Sequence, residues 1–233
     1  MRSFAGVGAI LFDLDGTLVD TAPDISAAVD ATLLALDRPP LDAAMVKSYI
    51  GRGVDTLLHR VLTGERDGNA EPELHDRARD VFFREYDAHN GRTAKIYPGV
   101  VEGIEHARRL GLRLCCVTNK LQRFSEDLLA HVGLDRYLDF VIGGDALAER
   151  KPHPAPLLHA AARFGVEPAE CLMIGDSSND ALAARAAGMP VVLVAYGYTE
   201  DQPIGAIDCD AVVDSVAEIV DALEPAPSIA RRA

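Results

Sequence analysis

Gly8-Ala9-Ile10-Leu11-Phe12-Asp13-Leu14-Asp15-Gly16-Thr17 begins as an apolar run and ends in two acids, a glycine and a threonine. A short continuous apolar run of this kind reads as a buried strand, and the acids mark where polar groups emerge at its carboxyl end. Five later runs look similar, at 112–117, 140–142, 171–174, 191–194 and 211–213. Helical patterns lie between them. In 121–132 the apolar positions Leu121, Phe124, Leu128 and Val132 recur at three- and four-residue spacing. The patterns at 100–110, 154–164 and 178–187 each stop at a glycine, Gly111, Gly165 and Gly188. Strands alternating with helices of this length predict an α/β fold, a doubly wound, mostly parallel sheet of Rossmann-like type covered on both faces.

The stretch 21–91 breaks the rhythm. It offers no strand, and 25–36, 42–50, 54–62 and 73–89 all read as helices. Thr21 with Asp24 resembles a loose capping arrangement, Asp standing in for the usual Glu. The borders of this block are polar or carry Pro and Gly, as hinge-like connections do. The expected organisation is a core made of 1–20 and 92–233 with an all-helical insertion at 21–91. The tail 225–233 reads as frayed.

Composition narrows the function. Of 233 residues, 23 are Lys or Arg and 36 are Asp or Glu, a net charge of −13. That balance argues against nonspecific nucleic-acid binding, which needs a basic footprint. No apolar run approaches the ~18 residues that span a bilayer. The first apolar stretch is broken by Asp13 and Asp15, which a signal peptide does not carry, so the expected compartment is the cytoplasm. Cys115, Cys116, Cys171 and Cys209 form no CxxC pair and read as small buried hydrophobes. Nothing in the pattern specifies an oligomer.

Ligands of a parallel α/β sheet bind beyond the carboxyl ends of its strands. Asp13 to Thr17 follow the first strand and Thr118-Asn119 the second. Lys151-Pro152 lie a short loop after the third, and Asp176 to Asp180 follow the fourth. Two carboxylates ~4 Å apart repel by about 4 kcal/mol at an effective dielectric near 20. Asp13, Asp15 and Asp176 together therefore need a cation, and one lysine does not offset three acids. A hard divalent ion with oxygen ligands, Mg²⁺ by preference, does. Thr118, Lys151 and main-chain N–H groups around Gly16 and Asn119 supply donors for an anion. Metal, donors and a free carboxylate describe a phosphoryl-transfer site with Asp as nucleophile. Taken singly, each motif has a plainer reading. An Asp before Gly can be only a turn, Asp176 and Asp180 can merely complement a helix dipole, and Thr118 can be an N-cap.

In order, DLDGTLVD at 13–20, VTNK at 117–120, KPHP at 151–154 and GDSSND at 175–180 resemble the four motifs of the haloacid-dehalogenase-like hydrolases, across essentially the whole chain. The resemblance implies that Asp13 is the nucleophile that forms an aspartyl-phosphate. Asp15 is implied as the acid that protonates the leaving alkoxide and then activates water. Thr118 and Asn119 match the phosphate-binding second motif, beside Gly16 and Thr17 of the first, and Lys151 steadies phosphate and nucleophile. Mg²⁺ is implied at Asp13, the main-chain carbonyl of Asp15, Asp176 and Asp180, the last as a ligand or a neighbour of one. The helical block resembles the family's small cap. A dehalogenase has no need of Asp15, which favours phosphate chemistry.

LVDTAPD at 18–24, YIGRGV at 49–54, YPGV at 97–100 and YGYTED at 196–201 most resemble the phosphoglycolate phosphatase branch. The implied substrate is a small phosphorylated metabolite, 2-phosphoglycolate first. Pyrophosphatase, sugar-phosphate phosphatase, phosphomutase and a catalytically silent binding module are the alternatives. Arg52, between Gly51 and Gly53 in a cap loop, is a candidate to grip the substrate carboxylate, guanidinium being the group best shaped for it. His153 reads as a solvated loop residue, and the Tyr196–Tyr198 stretch as strand-end packing or the rim of the site.

Overall fold

The computed structural model describes residues 4–225. Beyond Pro225, the tail expected to fray lies outside them. The chain runs through β1 (Phe4–Val7), β2 (Ala9–Phe12) and β3 (Val19–Asp20) into four helices, α1 (Ala22–Ala35), α2 (Ala43–Tyr49), α3 (Val54–Thr63) and α4 (Pro72–His89). It returns through β4 (Lys95–Ile96), α5 (Val100–Arg109), β5 (Arg113–Val117), α6 (Gln122–Val132), β6 (Phe140–Ile142) and α7 (Ala155–Phe164). Then follow β7 (Cys171–Gly175), α8 (Ser178–Ala187), β8 (Val191–Val194), β9 (Ala211–Val213), α9 (Val216–Asp221) and β10 (Leu223–Pro225).

The six apolar runs form one sheet in the order β6-β5-β2-β7-β8-β9, every neighbouring pair parallel. From β2 the chain builds outward through β5 and β6 on one side, then through β7, β8 and β9 on the other. The order thus reverses at β2, and a crevice opens beyond its carboxyl end. Side chains alternate between faces along each strand. Ile10, Phe12, Leu114 and Cys116 pack on one face with α5, α6 and α9. Leu11, Cys115, Val117 and Met173 pack on the other with α7 and α8. The adjacent Cys115 and Cys116 are therefore free thiols buried in two different cores.

The helices α1 to α4 bury their own apolar cluster, including Ile25, Val29, Leu58, Val61, Phe82 and Tyr86. Two residues from elsewhere in the chain, Phe124 and Tyr198, join it. The two crossings into and out of this layer are tied together. Val19 and Asp20 pair antiparallel with Ile96 and Lys95. Asp24 accepts hydrogen bonds from the main chain of Gly91, Thr93 and Ala94 at 2.8–3.2 Å and from the Thr93 hydroxyl. That corrects the capping reading of Thr21 and Asp24. Thr21 makes no side-chain cap; its hydroxyl donates to Asp15 Oδ1 at 2.7 Å. Pro23 in the first turn starts the helix instead, since it has no N–H to leave unpaired. No helix among the described residues is long and apolar enough to cross a membrane.

Candidate active site

Asp13 extends the central strand by one residue, its N–H donating to Ile174 O at 2.9 Å. The chain then turns sharply, with Thr17, Leu18 and Val19 all donating to Leu14 O. Gly16 makes the turn at φ +85°, and a Cβ there would lie 2.1 Å from Asp176 Oδ2. Only glycine meets both demands. Thr17 then donates its hydroxyl to Asp176 Oδ1 at 3.2 Å.

Four charged side chains converge beneath this turn. Lys151 Nζ lies 2.9 Å from Asp13 Oδ1 and 2.7 Å from Asp180 Oδ1. It also donates to Val117 O at 2.7 Å. Oxygen atoms of Asp13, Asp176 and Asp180 all lie within 4.8 Å of one another, and the three residues form the one such group of potential metal ligands among the described residues. Asp180 sits in the first turn of α8 and caps it. Its Oδ2 accepts from the N–H of Asp176, the N–H of Ser177 and the Ser177 hydroxyl. Both Asp180 oxygens are thus taken by the protein. Asp176 faces Thr17 on one oxygen and the Tyr198 N–H on the other.

The charges in this cluster are out of balance. Burial pushes the Asp13 carboxyl up to about 7, with Lys151 pulling it back and Asp180 adding repulsion. Asp176 is driven well above the ordinary carboxylate range by burial, then by repulsion from Asp13 and Asp180. For Lys151 burial alone favours the neutral form. Attraction to Asp13 and Asp180 outweighs it, and the ammonium is held charged. Three carboxylates crowded against one ammonium leave an excess of negative charge that a hard divalent cation with oxygen ligands would offset.

Asp15 lines the same cavity but is not part of this acid cluster, so the expected grouping of Asp13, Asp15 and Asp176 is replaced by Asp13, Asp176 and Asp180. Asp15 Oδ1 accepts from Thr21 at 2.7 Å and from Lys120 Nζ at 3.1 Å. Lys120 in turn donates to the Tyr86 hydroxyl of α4 at 2.5 Å. Burial lowers the affinity of Lys120 for its proton, and Asp15 and Tyr86 more than reverse that. Burial also pushes the Tyr86 phenol up to about 12. Lys120 was not among the residues singled out from the sequence, although it closes the second motif. Its place in the motif offered a signal, because it follows directly on Thr118 and Asn119 at the carboxyl end of a strand, where ligands of a parallel sheet bind.

Thr118 is buried, and its hydroxyl accepts from the Lys120 N–H at 3.2 Å. It is not the N-cap of α6; that position is Leu121. Asn119 uses its amide on two main-chain carbonyls, Gly51 O at 2.9 Å and Lys151 O at 2.8 Å. It therefore fixes the lysine loop and touches the helical layer at once.

Arg52 is the sequence-predicted residue that the geometry sets apart. Its guanidinium is about half exposed and donates to Glu200 Oε1 at 3.1 Å. It lines an outer groove with Arg150 and His153 rather than the cavity over Asp13. Glu200, on the loop after β8, also binds the buried Arg60 of α3 at 3.0 Å and the Asn179 amide at 3.1 Å. His153 serves its own turn, accepting from the Ala155 N–H. Tyr198 lines the cavity and its hydroxyl binds the start of α1, accepting from Thr21 and Ala22 N–H.

Glu200 thus anchors the helical layer through a buried charge. Glu200→Ala leaves Arg60 with only main-chain acceptors, Tyr49 O and Arg66 O. Removing one partner of a buried ion pair costs about 3 kcal/mol, or roughly 6–12 °C in Tm for a chain of this size. Differential scanning calorimetry checks this; an unchanged Tm would mean that the pair carries no net stability.

The cavity above Asp13 has a volume of about 50 Å³ and lies between the strand ends and the helical layer. Apolar residues of that layer, Ile25, Ile50, Leu57 and Phe82, make up one wall, and Asp13, Asp15 and Asp176 are on the other.

Asp13 at the switch point of the sheet, the acid triad beside it and the cavity beneath the helical layer make this edge of the sheet the candidate active site. The chain belongs to the haloacid dehalogenase-like hydrolases, whose family model matches residues 7–188. It is 45% identical over 219 residues to a phosphoglycolate phosphatase of Thiobacillus denitrificans, covering 94% of this chain and 96% of that one. A phosphoglycolate phosphatase of Nitrosospira multiformis is likewise 45% identical, over 91% of this chain and 93% of its own. Among solved structures, a predicted phosphoglycolate phosphatase from Haemophilus somnus superposes with a TM-score of 0.87. It is 32% identical, and the match covers 92% of this chain and 97% of that one.

Proposed function

We propose that this chain is a Mg²⁺-dependent phosphatase that hydrolyses 2-phosphoglycolate to glycolate and phosphate, with residues 21–91 acting as a cap over the site. The observation that carries the reading is the buried triad Asp13, Asp176 and Asp180 set against the single ammonium of Lys151. The names of the relatives, phosphoglycolate phosphatases, favour a short phosphorylated acid as substrate.

In this reading Asp13 attacks phosphorus, the ester bond breaks, and the leaving alkoxide takes a proton from Asp15. The aspartyl-phosphate is then hydrolysed by a water from which Asp15 removes the proton, which regenerates both acids. Lys151 screens Asp13 and the phosphoryl oxygens, and the Thr118 hydroxyl donates to one of them. Asp13 and Asp176, with the main-chain carbonyl of Asp15, are the ligands assigned to Mg²⁺. Asp180, whose oxygens are taken by Lys151 and the α8 cap, holds them in place. Bound Mg²⁺ supplies charge neutralisation, which lets Asp13 stay ionised and makes phosphorus electrophilic.

A panel of phosphorylated metabolites, assayed with Mg²⁺ for release of inorganic phosphate, tests the substrate. 2-Phosphoglycolate is expected to give the highest kcat/KM, and a flat profile or a sugar phosphate in first place would overturn that choice.

The raised Asp13 carboxyl carries a pH prediction. Metal binds the ionised form, and below about 7 a proton holds Asp13 neutral. Mg²⁺ affinity should therefore weaken as pH falls through about 7, with protons released on binding. Calorimetric titration with Mg²⁺ in two buffers of different ionisation enthalpy reads that release. A pH-independent affinity would mean that Asp13 is not a ligand.

A further inference from the structure

Lys120 has one side chain and three donors. Its Nζ reaches both oxygens of Asp15, at 3.1 and 3.4 Å, and the Tyr86 hydroxyl at 2.5 Å; one proton shared between the two carboxylate oxygens frees the third for another acceptor. The side chain is 5% exposed, and the surface it does present is on the cavity over Asp13. No arginine lines that cavity, and Lys120 is the one lysine among the described residues that does. Much of the wall beyond the acids is apolar, through Ile25, Leu57, Phe82 and Phe124. A carboxylate brought into such a space without a partner is strongly disfavoured. Arg52 does not supply the partner, since it is engaged with Glu200 outside the cavity.

We propose that Lys120 binds the carboxylate of the substrate and so sets the preference for a short phosphorylated acid over a neutral ester. This rests on the phosphatase reading above and names the group that gives it selectivity. With its phosphoryl group held at Asp13 and Thr118, which line the cavity, a two-carbon acid projects its other end toward the helical layer. There Lys120, steadied by Tyr86 of α4, completes the site only when that layer is closed over it. The same ammonium also contacts Asp15, so its removal is expected to slow turnover of every substrate by a common factor. Selectivity is what separates the two roles.

The test compares 2-phosphoglycolate with 2-hydroxyethyl phosphate, the same length with a hydroxymethyl group in place of the carboxylate. In Lys120→Gln the ratio of kcat/KM values for the acid over the alcohol should fall by about ten- to a hundredfold, as expected for the loss of a hydrogen bond to a charged group. Lys120→Arg, which keeps the charge, should retain most of the ratio. Lys120→Met, of similar length, repeats the measurement if the Gln variant does not fold. Equal losses on both substrates would overturn the proposal and leave Lys120 as a positioning residue for Asp15. If the unaltered enzyme takes both esters equally well, the acid-substrate reading itself fails, and that is seen before any variant is made.

Discussion

Asp13→Asn is expected to lower turnover by about a thousandfold or more, a barrier increase of about 4 kcal/mol, without lowering Tm. An amide has the shape of the carboxylate but does not form the acyl-phosphate. The fold has no reason to suffer. Lys151 keeps Asp180 and Val117 O, both at 2.7 Å, and the Leu14 N–H can still donate to the amide oxygen. Burial disfavours charge on Asp13, so losing one of three crowded carboxylates relieves the metal-free protein. Steady-state kinetics and a thermal melt check the two halves. Near-normal turnover would remove Asp13 from the chemistry, and a collapsed melt would make it a structural residue.

Exhaustive chelation of divalent metal should abolish activity, and Mg²⁺ should restore it. Asp13, Asp176 and Asp180 are buried together with Lys151 as their counter-charge, and Asp13 must be ionised to attack. Ca²⁺ should restore little. It takes six to eight oxygens at roughly 2.3–2.6 Å where Mg²⁺ takes six near 2.0–2.1 Å, so the phosphoryl group would sit displaced from Asp13. Activity that survives chelation would mean that the acid cluster is balanced by protonation alone.

The parts of this molecule that were legible in the sequence are those whose signal is long or chemically loud. Six buried runs such as 8–12 and 191–194 became the six strands of the sheet, because continuous apolar stretches bounded by polar residues have few other fates. The acids at strand ends followed from the same reading, since a parallel sheet gathers its carboxyl ends at one edge. The two small ladders outside that sheet were not legible. Val19-Asp20 against Lys95-Ile96 and Phe4–Val7 against Leu223–Pro225 are too short to show a period, and distant chain contacts alone select them. Side-chain partners were harder still. Arg52 has the right chemistry for a carboxylate, and only the fold shows that Glu200, 148 positions away, already occupies it. Lys120 drew no attention in a motif whose threonine and asparagine carry the resemblance. Its role depends on Tyr86, which a helix 34 positions earlier brings against it.

The central claim is a covalent phosphoryl bond to Asp13, and trapping that bond tests it most directly. Enzyme mixed with 2-phosphoglycolate and Mg²⁺, quenched within the first turnovers and reduced with borohydride, converts an acyl-phosphate to an alcohol. Tandem mass spectrometry of the peptide spanning 4–20 should then find homoserine in place of Asp13, only when substrate is present. An unmodified Asp13 under conditions of active turnover, or reduction at Asp15 or Asp176 instead, would contradict the account.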